Sequence, residues 1–457
     1  VGTIPVDRAS DADLAFLAMD AGPVPEQFGA AVLLDPGGEF DPARAERLLA
    51  ERLAAVPRLG QRLFRPPPGC GRAVWADDDR FDPRRHLSRL ACPSPGDEQA
   101  LVDTAVRLVV DRLPRDRPLW RAALVTGLAG GRVALVVVLH HAVADGIGGL
   151  AVLRDLADPA GPAVAPAARV PRPRPGARQL AADAWAARRH AVRRARTTWR
   201  QLRASMAAGG GLRPERAAPC SLLRPTGPRQ RMTVVHADVA AVRAAAHRLG
   251  GTVNAALVTV VARALHTVLR HRAEAVGRVM VAVPVAARRE TVSSGLGNKV
   301  SPLVLAVPTA ARPAEQVAGV AAAVRARRGL ATGPPPIALL GAAFRIAAGL
   351  GGYRWYMTRQ RRIHTVVSYV HGPDVPLRFA GAPIRAVIPL AVSQAGNLTV
   401  RFEALSYAGT LTVTALTDPD AFPDVPVLAR ALRAELDALT AVTVPCPGPG
   451  SPPGGAG

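Results

Sequence analysis

The chain runs to 457 residues with a formal charge of +23, and 49% of it is apolar, which excludes global disorder and predicts two or three domains. Its four cysteines, Cys70, Cys92, Cys220 and Cys446, are scattered with no C-x-x-C pair, which argues against a zinc ribbon or a disulfide framework and suits a reducing compartment. Lys299 is the only lysine, so the positive charge is arginine spread through an Ala-, Gly- and Pro-rich chain and points to a polyanion only where it is concentrated.

The opening "VGTIPVDRASDADLAFLAMD" lacks the basic start and long apolar core of a secretory signal. Next comes a strand, "AAVLLD" (30–35), then a helix, "DPARAERLLAERLAAVP", started by Asp41 and Pro42. "DEQALVDTAVRLVVDRL" (97–113) is a second helix, and "LWRAALVTGLAGGRVALVVVLHH" reads as a hairpin turning at "GLAGGR". "GIGGLAVLRDLA" begins another helix. These elements make a first half, residues 1–165.

Residues 166–225 read as a connector, with Pro- and Gly-rich ends around a helical middle from about 177 to 207. Trp185, Val192, Trp199 and Met206 recur every seven residues and share one stripe, while arginines fill the other faces. Such a stripe either packs on the protein body or lies on an anionic lipid surface with tryptophan at the headgroups; packing is the expectation favoured here. The second half, residues 226–444, repeats the mixture: the helix "TVNAALVTVVARALHTVLRH" (252–271), the strand "GRVMVAVPVAA", the closing pair "LTVRFEALSYAGTLTVTALT" and a final helix, "VPVLARALRAELDALTAV". Residues 445–457, rich in Pro and Gly, are expected to be a disordered tail. Each half is therefore α/β with mixed or largely antiparallel sheet. No run of about 20 apolar residues is present, the nearest (337–352) being interrupted by Arg345, so a cytoplasmic protein that touches a membrane or lipid droplet from outside is expected.

The chemistry concentrates in "LHHAVADGIGG" (139–149). "RVALVVVL" is continuously apolar, so His140 and His141 fall at the end of an interior strand and point to opposite sides. Asp145 precedes Gly146 in a turn leading into a helix, where its carboxylate can receive backbone N–H groups and fix the turn. An imidazole with an ordinary pKa of about 6.5 suits a general base that takes a proton from an alcohol or amine attacking a carbonyl. A satisfied core histidine is the bland alternative. A metal site is not expected, because adjacent strand histidines diverge and no Cys/His/Glu cluster completes one.

This segment, H-H-x-x-x-D-G, resembles the active-site signature of the coenzyme A-dependent acyltransferases. Together with "SDADLAFLAMD" (10–20), "VWADDDRFDPRRHL" (74–87), "RPLW" (117–120), "GLGNKVSPLVLAVPT" (295–309) and "VVSYVHGPDVPLRFAGAPI" (366–384), it makes nearly the whole chain similar to the bacterial wax ester synthase/diacylglycerol acyltransferase family. The resemblance implies two pseudo-symmetric α/β domains with mixed sheets and an active-site tunnel between them. It implies acyl-CoA as co-substrate with no further cofactor, and a diacylglycerol or long-chain alcohol as acceptor. His141 would be the base and Asp145 a support for the loop. His140 would either pack or orient substrate. Asn298 and backbone N–H groups near Gly146 would receive the oxyanion, and Pro118-Leu119-Trp120 would pack the strand rather than touch substrate. No G-x-S-x-G elbow is present, in keeping with direct transfer. The sequence departs from the family's usual Asn-Asp at Asn254-Ala255, and from its Ser/Thr-Asn-Val-Pro-Gly-Pro at Ser368 to Pro373, which bears on acceptor preference and the level of activity. Two other readings compete: a condensation-type acyltransferase on a carrier-bound or amine substrate, and a catalytically silent lipid-binding protein of the same fold. Nucleic acid is not an expected partner, with 4% aromatics and no binding module.

Overall fold

The computed structural model describes residues 5–38, 40–159, 172–208, 215–286, 296, 300–328, 336–392 and 396–441. The first half runs α1 (Asp11–Met19), β1 (Gln27–Leu34), α2 (Pro42–Ala55), β2 (Gln61–Phe64), β3 (Val74–Asp77), β4 (Leu87–Ala91), α3 (Glu98–Val110), β5 (Trp120–Thr126), β6 (Val133–His140) and α4 (Gly146–Leu156). A long helix, α5 (Ala177–Ala208), leads to β7 (Arg231–Asp238), α6 (Val239–Arg248), α7 (Val253–His271), β8 (Arg278–Ala286) and β9 (Val300–Pro308). The chain closes with α8 (Pro313–Arg328), α9 (Pro336–Gly349), α10 (Gly352–Met357), β10 (Thr365–His371), β11 (Arg378–Phe379), β12 (Ala382–Ala391), β13 (Val400–Tyr407), β14 (Thr410–Thr417) and α11 (Val425–Ala441).

The helix starts follow from local chemistry. Ser10 and Asp13 form a reciprocal capping box at α1, and Asp41 caps α2 through the N–H groups of Ala43 and Arg44 with Pro42 in the first turn. Asp97 caps α3 and Thr252 caps α7 in the same way.

Two six-stranded sheets carry the fold, ordered β11-β12-β1-β6-β5-β4 and β7-β14-β13-β10-β8-β9. Both are mixed: β4 runs parallel to β5, and β10 parallel to β13 and β8, while the remaining pairs are antiparallel. β5 and β6 form the expected hairpin. Strand β6 is buried along its whole length, with α3 packed on β1 and β6, which is why its sequence is apolar without alternation.

One connection was not readable in the sequence. β12 belongs by position to the second half, yet it pairs antiparallel with β1, placing Ala391 opposite Phe28. The late segment thus completes the first sheet, and the two halves are joined by a shared ladder. A second tie is His236 on β7, whose Nε2 lies 2.8 Å from Glu98 Oε2 on α3. Each sheet has its own core, one around Leu49, Leu101, Trp120 and Leu135, the other around Leu257, Phe402, Phe422 and Leu432. Among the described residues α7 is the one helix long and apolar enough to cross a membrane, and 72% of its most apolar window is buried in the second core.

Candidate active site at the end of strand β6

His140 is the last residue of β6, and its N–H donates to the Leu119 carbonyl (3.1 Å); the His141 N–H donates to the Glu26 carbonyl (2.9 Å). The two rings then diverge as extended backbone requires. His140 is buried at 1% exposure, and its Nδ1 accepts the Ala142 N–H at 2.9 Å. That bond leaves the proton on Nε2, which faces Asp20 Oδ2 at 3.3 Å. Asp20 in turn accepts from the Glu26 N–H (3.0 Å), from Arg115 (2.9 Å) and from Arg112. Burial alone would raise the Asp20 carboxyl, but the hydrogen bonds from His140 and Arg115 outweigh it and hold the group below the usual carboxylate range. His140 is pushed below its ordinary value by burial, against the pull of Asp20, and so stays neutral. It is a clamp that ties β6 to the α1–β1 loop.

His141 has different surroundings. Phe16 of α1 and Phe28 of β1 stack on its ring, with centroids 4.9 and 4.6 Å away, yet part of the residue stays accessible. Burial, then the charge of Arg401, push its pKa down to about 3, so the ring is neutral at physiological pH.

Asp145 caps α4: its Oδ1 accepts the Gly148 N–H at 2.9 Å, and its carbonyl accepts the Gly149 N–H at 2.8 Å. The acid therefore builds the turn that follows the histidines. A Cβ on Gly149 would come within 2.6 Å of the Phe28 ring, so the glycine lets α4 lie against the ring that stacks on His141. Gly146 opens α4, and a Cβ there would meet Val370 of β10 at 3.3 Å, so the start of α4 faces the second sheet. Asn298, the expected side-chain oxyanion donor, lies outside the described residues.

Trp120 is buried, donates its indole N–H to the Leu59 carbonyl at 2.7 Å and stacks on His86 at 4.4 Å; the Pro-Leu-Trp segment packs the strand. In the departing motifs, Asn254 sits in the first turn of α7 with its amide oxygen enclosed and without a hydrogen-bond partner. His371 and Tyr369 both hydrogen-bond the Ser406 hydroxyl, at 2.9 and 3.0 Å.

Sequence reasoning missed several residues. Asp20 closes the stretch "SDADLAFLAMD", but no spacing rule links it to a histidine 120 positions later. Arg401 on β13 donates to the Val392 carbonyl (2.9 Å) and to Glu403 (2.6 Å), and its Nε is enclosed without an acceptor. Val392 follows Ala391, the partner of Phe28, and so this guanidinium is delivered beside His141 by the strand that crosses between the sheets. On α10, burial, then the negative charge of Glu26, raise the Tyr353 phenol well above the ordinary value.

Comparison with known proteins shows the family of the chain. The wax ester synthase/diacylglycerol acyltransferase catalytic domain model matches residues 10–257, and the C-terminal domain model of that family matches residues 296–440. A Mycobacterium tuberculosis protein named diacylglycerol O-acyltransferase is 28% identical over 454 residues, covering 93% of this chain and 88% of the relative. A second from that organism is 28% identical over 475 residues, covering 96% and 93%. The solved wax ester synthase/diacylglycerol acyltransferase of Marinobacter aquaeolei shares the fold with a TM-score of 0.65 at 20% identity, over 95% of this chain and 100% of that one. The first condensation domain of the calcium-dependent antibiotic synthetase superposes almost as well, with a TM-score of 0.63 at 21% identity over 96% and 97%. The fold alone is thus common to the wax ester synthase/diacylglycerol acyltransferase and the condensation domain, whereas both family models match across the two halves, and the chain belongs to the wax ester synthase/diacylglycerol acyltransferase family and is an acyltransferase.

Proposed function

We propose that the protein transfers a fatty acyl group from acyl-CoA to the hydroxyl of a diacylglycerol or long-chain alcohol, with His141 as general base. The observation that carries this reading is the placement of His141: a neutral ring, on a residue that is not fully enclosed, held at the end of a rigid strand while its neighbour His140 is locked into a buried hydrogen-bond network. In this reading His141 takes the hydroxyl proton as the oxygen attacks the thioester carbonyl. The tetrahedral oxyanion collapses with loss of CoA thiolate, which takes the proton back from the imidazolium. No acyl-enzyme is needed.

A base so reluctant to hold a proton needs the negative charge to be stabilised while the proton is on the ring. Arg401 supplies a cation beside His141, and the N–H groups at the start of α4 add donors with the positive end of the helix dipole. The acceptor lipids reside in membranes or droplets, so we place the enzyme's work at such a surface.

The test is release of free CoA from palmitoyl-CoA, with ester analysis, across a panel of alcohols, diacylglycerols, sterols and amines. Wild type is expected to release CoA with a hydroxyl acceptor, and His141→Ala to lose roughly 10²- to 10⁴-fold with its circular dichroism unchanged. Equal release by both proteins removes His141 from the mechanism. Amide products in place of esters would favour a condensation-type reaction.

A further inference from the structure

Among the described residues, helix α5 is fastened to the body by buried side chains near its start. Leu180 and Ala184 are buried, Arg8 pairs with Asp183 at 2.5 Å, and the same guanidinium donates to the Leu180 carbonyl at 2.8 Å. From Trp185 to Arg193 every residue is exposed. The tryptophan stripe was expected to pack on the body; instead Trp185 and Trp199 are each 62% exposed and Val192 is 78% exposed. The outer positions of the neighbouring helices are similar. Helix α9, which packs on α5, exposes Ile346, Leu350 follows it at 84% exposure, and α10 exposes Trp355 at 62%. The chain has five tryptophans; Trp75 and Trp120 are buried, and the other three stand in solvent on these helices. Exposed aromatics on helices packed in series, α5 on α9 and α9 on α10, mark an interaction surface.

Charge selects the partner. Arg188, Arg189, Arg193, Arg196, Arg200 and Arg203 are all exposed along α5. The sole carboxylate of α5 is Asp183, already paired with Arg8, and residues 336–362 contain no Asp or Glu at all. Two copies of this face would repel each other, whereas lipid phosphates would neutralise it. One of these helices also packs against an element of the candidate site. Arg345 of α9 pairs with Asp11 of α1 at 2.8 Å, and α1 carries the Phe16 ring that stacks on His141.

We propose that α5, α9 and α10 form a docking surface for an anionic phospholipid bilayer, with Trp185, Trp199 and Trp355 at headgroup level and the α5 arginines on lipid phosphates. Docking there sets α9, which packs on the helix carrying Phe16, against the lipid that holds the acceptor. Flotation of the full chain with phosphatidylcholine vesicles, with and without about a third phosphatidylglycerol, tests this in the absence of any acyl substrate, so the result is independent of the acyl-transfer reading. Wild type is expected to float with the anionic vesicles only, less so as salt is raised. The triple variant Trp185→Ser/Trp199→Ser/Trp355→Ser should lose at least about tenfold in partition, with unchanged circular dichroism because these side chains touch solvent. Arg188→Gln/Arg189→Gln/Arg193→Gln should lose the preference for phosphatidylglycerol. Equal flotation of wild type and the tryptophan variant would overturn the proposal. So would failure of wild type to float, or a dimer seen by light scattering that only the tryptophan variant abolishes.

Discussion

Residue His141 sits where two effects act in the same direction. Burial against two phenyl rings and the Arg401 charge both disfavour imidazolium, and together they bring the pKa down to about 3. A base with a depressed pKa stays unprotonated as pH falls until that value is reached. We therefore expect kcat/KM to show no acid limb from His141 between pH 5 and 8, and an inflection near the free imidazole value of about 6.5 would show that the ring is not held as described. Arg401 also makes a prediction. Arg401→Gln should lower kcat by roughly 10²-fold with little change in KM for acyl-CoA, and Arg401→Lys should recover part of the loss. Because the substitution strands Glu403, the double variant with Glu403→Gln is the control; full activity in the double variant would show that the arginine only neutralises its neighbour.

Element by element, the site depends on how α4 meets β1. Asp145→Ala removes the cap on the Gly148 N–H and should cost about 1 kcal/mol of stability in urea titration. Gly149→Val makes a sharper test. The new side chain would collide with Phe28, so the ring must leave its stack on His141 or α4 must shift. Activity should fall by more than the loss of stability explains, and a fully active Gly149→Val protein would mean that the Phe28 stack is dispensable. Asp20 acts through the α1–β1 loop. Asp20→Asn keeps the shape but weakens the charge-assisted bonds from Arg115 and Arg112, and should destabilise the fold by about 1–3 kcal/mol.

At the scale of the whole molecule, several histidines are buried neutral. His86, His140, His141 and His364 all have pKa values lowered, with burial the largest cause in each. The unfolded chain protonates these rings as pH falls through about 6.5 while the native state does not, so each contributes stability that is present above that pH and lost below it. Asp20 adds a second loss at lower pH: its depressed pKa contributes stability above about 3.9, which disappears as pH drops toward the folded value. Urea midpoints should therefore fall from pH 7.5 to pH 5, and His140→Gln, which removes one such ring, should flatten the slope. A midpoint independent of pH across that range would contradict the neutral burial of these histidines.

What the sequence determined by itself was local and periodic. Asp41 with Pro42 announced one helix start and Asp145 before Gly146 another, the unbroken apolar run before His140 announced an interior strand, and the spacing of the two histidines, the acid and the glycines marked the candidate site. Each of those signals is a relation between residues a few positions apart, set by backbone geometry. Only the tertiary structure decided the rest. The pairing of β12 with β1, the bond from His140 to Asp20 and the approach of Arg401 to His141 join residues that no period connects, and the exposure of the Trp185–Trp199 stripe is a fact its seven-residue period does not carry. Those contacts follow from strand order and helix packing, which depend on the summed burial of two cores and leave no local mark on the chain.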